Sequence, residues 1–179
     1  MADAITPDAK DWTWVLDRPC PECGFDTRSV DPPQVADLIR ANAAAWQAVL
    51  RRRDVRERPR PDRWSPLEYA CHVRDVFALY DVRLNLMLTE DRPHDQPATF
   101  ANWDQDVTAL EKRYAEDDPA AVGPAITANA EQLAARFDGV QTDQWNRTGL
   151  RSDGAQFTVS TFARYLIHDP VHHLLDVGA

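Results

Sequence analysis

Four stretches of this chain place apolar residues three and four positions apart, which is the period of one face of an α-helix. The first carries Val35, Leu38, Ile39, Trp46, Val49 and Leu50. It opens at Asp31-Pro32-Pro33, where Asp can cap and Pro fits the first turn, and should close near Arg53. The second has the clearest start: Ser65 can cap, Pro66 takes the first helical position, and Glu68 completes a capping box. It should run to about Leu88. The third stripe is Phe100, Trp103, Val107, Leu110 and Tyr114, resumed by Val122, Ile126, Asn129, Leu133 and Phe137. Asp117-Asp118-Pro119 and Gly123-Pro124 lie between, so a break or kink is expected there. The last helix begins around Thr158 and carries Phe162, Tyr165 and Leu166.

Four amphipathic helices bury their stripes most simply against one another, so the expected fold class is all-α, a four-helix bundle over residues 32–179. The Gly and Asp residues between Trp145 and Gly154 favour turns and predict a short two-stranded excursion before the last helix. Residues 1–31 hold Trp12, Trp14, Pro19, Pro21 and Cys20-Pro-Glu-Cys23-Gly24 without sustained period, and read as an irregular extension pinned by its aromatics.

Composition removes several function classes. The formal net charge is -9, with acidic residues spread along the chain, so a phosphate backbone would be repelled and nucleic-acid binding is disfavoured. No apolar run approaches the ~18 residues needed to cross a bilayer. The first residues lack the basic and apolar segments of a signal peptide, and three cysteines are too few for a secreted disulfide framework. A cytoplasmic location is expected. A helix face could mediate homodimerisation, but no interface is legible.

Chemistry concentrates in the histidines. His72 shares its side of the second helix with Tyr69, Val76, Leu79, Tyr80 and Arg83, so it points inward along the apolar stripe. His168 and His172, four apart, share a face of the last helix with Tyr165 and Leu175. A lone inward histidine is more often a hydrogen-bonded core residue, but three converging imidazoles make a facial site for a divalent transition metal, with a coordination position left open. Zinc is the default ion; nickel, iron and manganese suit the same donors. Asp75 is the first candidate to orient a ligand ring, ahead of Asp169 and Asp176. His173 points about 100° away from His172 and is not expected to ligate. His94 lies in a proline-rich loop and is expected to be exposed. Pro170 lies within the His168–His172 turn and should loosen the bond to the Leu166 carbonyl, re-aiming one ring against the other.

Cys20 and Cys23 have the spacing of one zinc knuckle, which needs a second pair of ligands for tetrahedral closure, and no second cysteine pair exists. The motif reads first as a structural turn, then as a partial metal site completed in a dimer or by nonprotein ligands, and last as a redox pair. Cys71 reads as a small core residue.

Taken together, Trp64-Ser65-x-x-Glu68-x-x-x-His72-x-x-Asp75 and Tyr165-x-x-His168-Asp-x-x-His172-His173, the latter preceded by Phe157-Thr158-Val159, resemble the DinB-like, YfiT-type superfamily of metal-binding four-helix bundles. The resemblance spans residues 32 to 178 and implies that His72, His168 and His172 are the metal ligands. It also implies thiol S-transferase chemistry with a low-molecular-weight thiol such as mycothiol or bacillithiol, or a mycothiol-dependent isomerisation. Pro170 and the cysteine-bearing extension depart from the family pattern. Arg74, Arg83, Arg151 and Asp153 are candidate anchors for an anionic thiol. The rival classes are a metal-dependent hydrolase or isomerase using activated water, and a non-catalytic metal-binding or interaction protein.

Overall fold

A computed structural model describes residues 5, 7, 10–89, 93 and 96–179, and His94 lies outside them. Four long helices carry the predicted stripes: α1 (Val35–Leu50), α2 (Pro66–Thr89), α4 (Pro119–Asp138) and α5 (Val159–Asp176), with a short α3 (Gln105–Glu111) between α2 and α4. Helix α4 packs against α1 and α2, and α5 closes the bundle against the same two. Trp46, Phe77, Ile126, Leu133, Phe162 and Leu166 fill the interior with almost no exposed surface.

Local chemistry accounts for the helix boundaries. The Ser65 amide donates to Glu68 Oε2 at 2.8 Å and the Glu68 amide to Ser65 Oγ at 3.3 Å, which closes the expected capping box. Thr158 and Thr161 make the equivalent exchange at the start of α5, at 3.1 and 2.9 Å. Asp118 caps α4 by accepting from the Ala120 amide at 3.0 Å, and Pro119 occupies its first turn.

Two expectations for the third stripe are corrected. Phe100 belongs to a strand, β1 (Ala98–Phe100), and the helix that follows is only Gln105–Glu111, stopped where Arg113 adopts φ 55°. The break falls at residues 112–118, and α4 then runs straight through Pro124. Losing one backbone donor does not end the helix, because Val122 and Ile126 on either side are fully buried against the bundle. Gly123 lets α1 approach closely: a Cβ there would lie 2.7 Å from Gln47 Oε1, whose amide nitrogen donates to the Gly123 carbonyl at 3.0 Å.

The expected hairpin forms from β2 (Thr148–Arg151) and β3 (Gln156–Thr158), antiparallel, with Gly149 opposite Phe157. It gains a third strand, because β1 pairs parallel to β2 with Ala98 opposite Gly149. The N-terminal extension makes two single 3-10 turns, Trp12–Leu16 and Thr27–Ser29, both packed on α5. Val15, Cys20 and Val30 are buried, and Arg164 of α5 donates to the Val30 carbonyl at 3.0 Å. Among the described residues, no helix is long and apolar enough to cross a membrane.

Candidate metal centres

Helix α5 continues through Pro170, and its His168-Asp169-Pro170-Val171-His172-His173 run contains two pairs at four-residue spacing, offset by one position. One position is about 100° of helix rotation, so the pairs serve adjacent faces. Among the described residues, two groups of metal-ligating side chains bring their donor atoms within 4.8 Å of one another: His72 with Asp169 and His173, and Cys20 and Cys23 with His168 and His172. The structure therefore joins His168 to His172 but places His72 with the other pair. The three-imidazole set implied by the resemblance is divided between the two groups.

In the first group, His72 Nε2 lies 3.1 and 3.4 Å from the two Asp169 carboxylate oxygens, and His173 Nε2 lies 3.8 Å from Asp169 Oδ1. Asp176 Oδ2 is 2.8 Å from His173 Nδ1, and this contact orients the ring so that Nε2 faces Asp169. Arg63 holds Asp176 from outside at 3.3 Å. His72 is fully buried, stacked 5.3 Å from the Trp103 ring at 11°, and its Nδ1 has no partner. The polar anchoring of this ring is therefore all on its Nε2 edge. Burial opposes ionisation of Asp169, but the flanking His72 and His173 rings overcome it and hold the carboxyl well below the usual range. Two imidazole nitrogens and one carboxylate, with one imidazole backed by a second carboxylate, suit a divalent transition metal and leave coordination positions open.

Asp169 and His173 open onto a cleft of about 740 Å³ whose walls include Trp12, Tyr80, Arg83, Trp103, Arg151 and Tyr165. Arg83 is only 4% exposed; it donates to the Ala101 carbonyl at 2.7 Å and lies over the Tyr80 and Phe100 rings. Burial draws its pKa down. Arg151 donates to the Tyr165 hydroxyl at 3.1 Å and is balanced by Asp153 at 2.9 Å.

Two proposed roles fall away from the cleft. Arg74 is tied to Asp75 at 2.9 Å and Asp117 at 2.6 Å. Asp75, expected behind a ligand histidine, instead accepts from Lys112 at 2.8 Å and from the Tyr114 hydroxyl at 2.5 Å. Burial pushes the Asp75 carboxyl up, but Arg74, Lys112 and Tyr114 together hold it below its ordinary value. The carboxylate that backs an imidazole of this group is Asp176, and the imidazole is that of His173, which the sequence sets aside for its direction. The i, i+4 relation of His173 to Asp169 is the sequence signal for this pairing.

The second group supplies Cys20 and Cys23 with the partners that the cysteines alone lacked. Cys20 Sγ is 3.7 Å from His172 Nδ1, and Cys23 Sγ is 3.7 Å from His168 Nε2. The Trp12 ring covers both imidazoles, at centroid distances of 5.4 and 5.2 Å. Burial, helped by His172, lowers the His168 pKa to about 4, and burial pushes the Cys23 thiol up. Cys71 is buried apart from both groups, near the Tyr114 carbonyl and Asp117, as a core residue would be.

The same fold occurs in solved structures. YfiT from Bacillus subtilis, described as a probable metal-dependent hydrolase with an unusual four-helix bundle topology, superposes with a TM-score of 0.67 at 16% identity over 84% of this chain and 89% of that one. A mycothiol-dependent maleylpyruvate isomerase superposes with a TM-score of 0.65 at 14% identity, over 86% of this chain. The chain spans only 63% of that isomerase. No curated protein sequence matches. The DinB superfamily model matches residues 37–177, which take in α1 to α5, His72 and the whole histidine run of α5. The chain belongs to the DinB superfamily.

Proposed function

We propose that this protein is a metal-dependent enzyme in which His72, Asp169 and His173 hold a divalent ion, zinc by default, and in which the adjoining cleft receives a low-molecular-weight thiol and an electrophile. The observation that carries this reading is the convergence of two imidazoles and a carboxylate beside a cleft that has a buried guanidinium, Arg83, on its wall. An ion held there would supply Lewis acidity, lowering the pKa of a thiol or water beside it.

The chain's own residues divide the remaining work. Asp169 stays ionised across the neutral range and supplies negative charge, while Asp176 keeps the His173 Nε2 edge turned inward. Trp103 stacks on His72 and shields that ring from water. Arg83, with its charge buried on the cleft wall and no carboxylate paired with it among the described residues, is suited to the carboxylate of an anionic thiol or substrate. Arg151 is already balanced by Asp153 and positions the Tyr165 hydroxyl at the cleft wall.

A second reading, hydrolysis with water in place of the thiol, is favoured by what is said of YfiT, whereas the similar isomerase is described as mycothiol-dependent and favours a thiol co-substrate. Thiol consumption against monochlorobimane separates the two, run with mycothiol, bacillithiol and glutathione on zinc-loaded protein. Turnover with one thiol, lost more than about 100-fold in His173→Ala, is the expected result. Zinc-loaded protein that consumes none of the three thiols overturns the transferase reading. Retained turnover in His173→Ala overturns the ligand assignment.

A further inference from the structure

We infer that Cys20, Cys23, His168 and His172 form a second metal site, a closed tetrahedral zinc centre that is structural and staples the N-terminal extension to α5. Its geometry is that of a metal cage. Zinc binds thiolate sulfur at about 2.3 Å and imidazole nitrogen at about 2.05 Å, and a tetrahedral angle between them sets sulfur and nitrogen ~3.6 Å apart. Both Sγ to ring-nitrogen distances are 3.7 Å. That is long for an ordinary thiol hydrogen bond and right for two ligands of one ion.

The segment that carries the cysteines is shaped to present them. The Gly24 amide donates to the Cys20 carbonyl at 2.8 Å, and the Cys20 amide to the Phe25 carbonyl at 2.9 Å, so the chain folds back directly after Cys23. Gly24 makes that reversal with φ 73°, a conformation a side chain would strain. On α5 the two imidazoles lie one turn apart and expose different nitrogens to the cysteines, Nε2 of His168 and Nδ1 of His172. The remaining His172 nitrogen, Nε2, faces carboxylates of Glu22 at 3.6 Å and Asp176 at 3.8 Å, the outer partners a ligating imidazole usually has.

Four protein donors leave no position for substrate, which makes the centre structural. Each thiol gives its proton to solvent as its sulfur binds, so two thiolates and Zn²⁺ leave the buried cluster without net charge. The consequence reaches the cleft. Trp12 and Glu22, on the segment the ion would hold, line it together with Asp169 and His173, and the edges of His168 and His172 reach the same cleft. The two centres share α5 but no ligand, and this inference stands whether or not the cleft proves catalytic.

The test uses the full chain loaded with cobalt(II), which reports thiolate ligation as sulfur-to-metal charge-transfer absorption in the near ultraviolet. Wild type and His72→Ala should both show that band, Cys23→Ser should weaken it by about half, and Cys20→Ser/Cys23→Ser should lose it along with about one equivalent of bound metal. A wild-type cobalt protein without the band overturns the inference, as does a Cys20→Ser/Cys23→Ser protein that keeps it. Wild type also gives an independent readout that needs no variant to fold. Cys23 is partly exposed and should react with a thiol reagent only after zinc is chelated; equal reactivity with and without zinc overturns the assignment.

Discussion

At the scale of single residues, one step along α5 separates two chemistries. His168 and His172 face the extension's cysteines, while Asp169 and His173, rotated by one position, face His72. An i, i+4 spacing is legible in sequence, but the absolute rotation of a helix depends on which face its neighbours bury. The same lesson applies to Asp75, whose offset of three from His72 suggested an orienting role and whose carboxylate is taken up by Arg74, Lys112 and Tyr114. Removing it leaves the buried Tyr114 hydroxyl without its acceptor and takes one of two carboxylates from the half-buried Arg74, so Asp75→Ala should destabilise the fold by about 2 kcal/mol, read as a lower urea midpoint. Its pH dependence has a definite sign. Because the folded carboxyl titrates below its unfolded value, the contribution is complete above about pH 4 and fades as the pH falls through the lower folded pKa. The gap between wild type and Asp75→Asn should therefore be flat from pH 5 to 8 and close only in acid, by about pH 2 or below. A gap that narrows toward alkaline pH would contradict this account.

At the scale of elements, capping chemistry and apolar period carried most of the information. The Ser65–Glu68 box is present, and Glu68 also binds Arg58 Nε at 3.0 Å, so one buried carboxylate joins the start of α2 to the preceding loop. Ser65→Ala should cost about 1 kcal/mol in thermal or urea unfolding. An unchanged midpoint would mean that Glu68 alone secures the helix start. Period failed where an aromatic stripe was shared by unlike elements. Phe100, Trp103 and Tyr114 keep helical spacing, yet they fall in β1, in a loop and in a 3-10 turn. Their common direction is set by the bundle they cover, and a strand of three residues is too short to announce itself by alternation. Proline was equally uninformative on its own, since α4 and α5 both continue through one. In α5, Asn42 of α1 donates to the Pro170 carbonyl at 2.9 Å, so the turn that Pro170 occupies is a docking point between helices.

At the scale of the whole molecule, the bundle is a frame and the extension is part of the site. Residues 12–30 cover α5, and their Trp12 ring touches both imidazoles of the second cluster. If zinc holds that segment, a chelator should expose the extension to limited proteolysis while the helical core survives, seen as an N-terminal cut before residue 35 with far-ultraviolet circular dichroism retained. Cleavage at the same rate with and without zinc would show that packing alone pins it. The four long helices are legible in the sequence, because local period and caps act over a few residues and need no partner. So are His72, His168, His172, Cys20 and Cys23 as candidate ligands, whereas the part of Asp169 and His173 is not. How these side chains group is a tertiary matter, because the rotation of α5 and the path of an extension about 150 residues away in the chain are set by packing across the whole molecule.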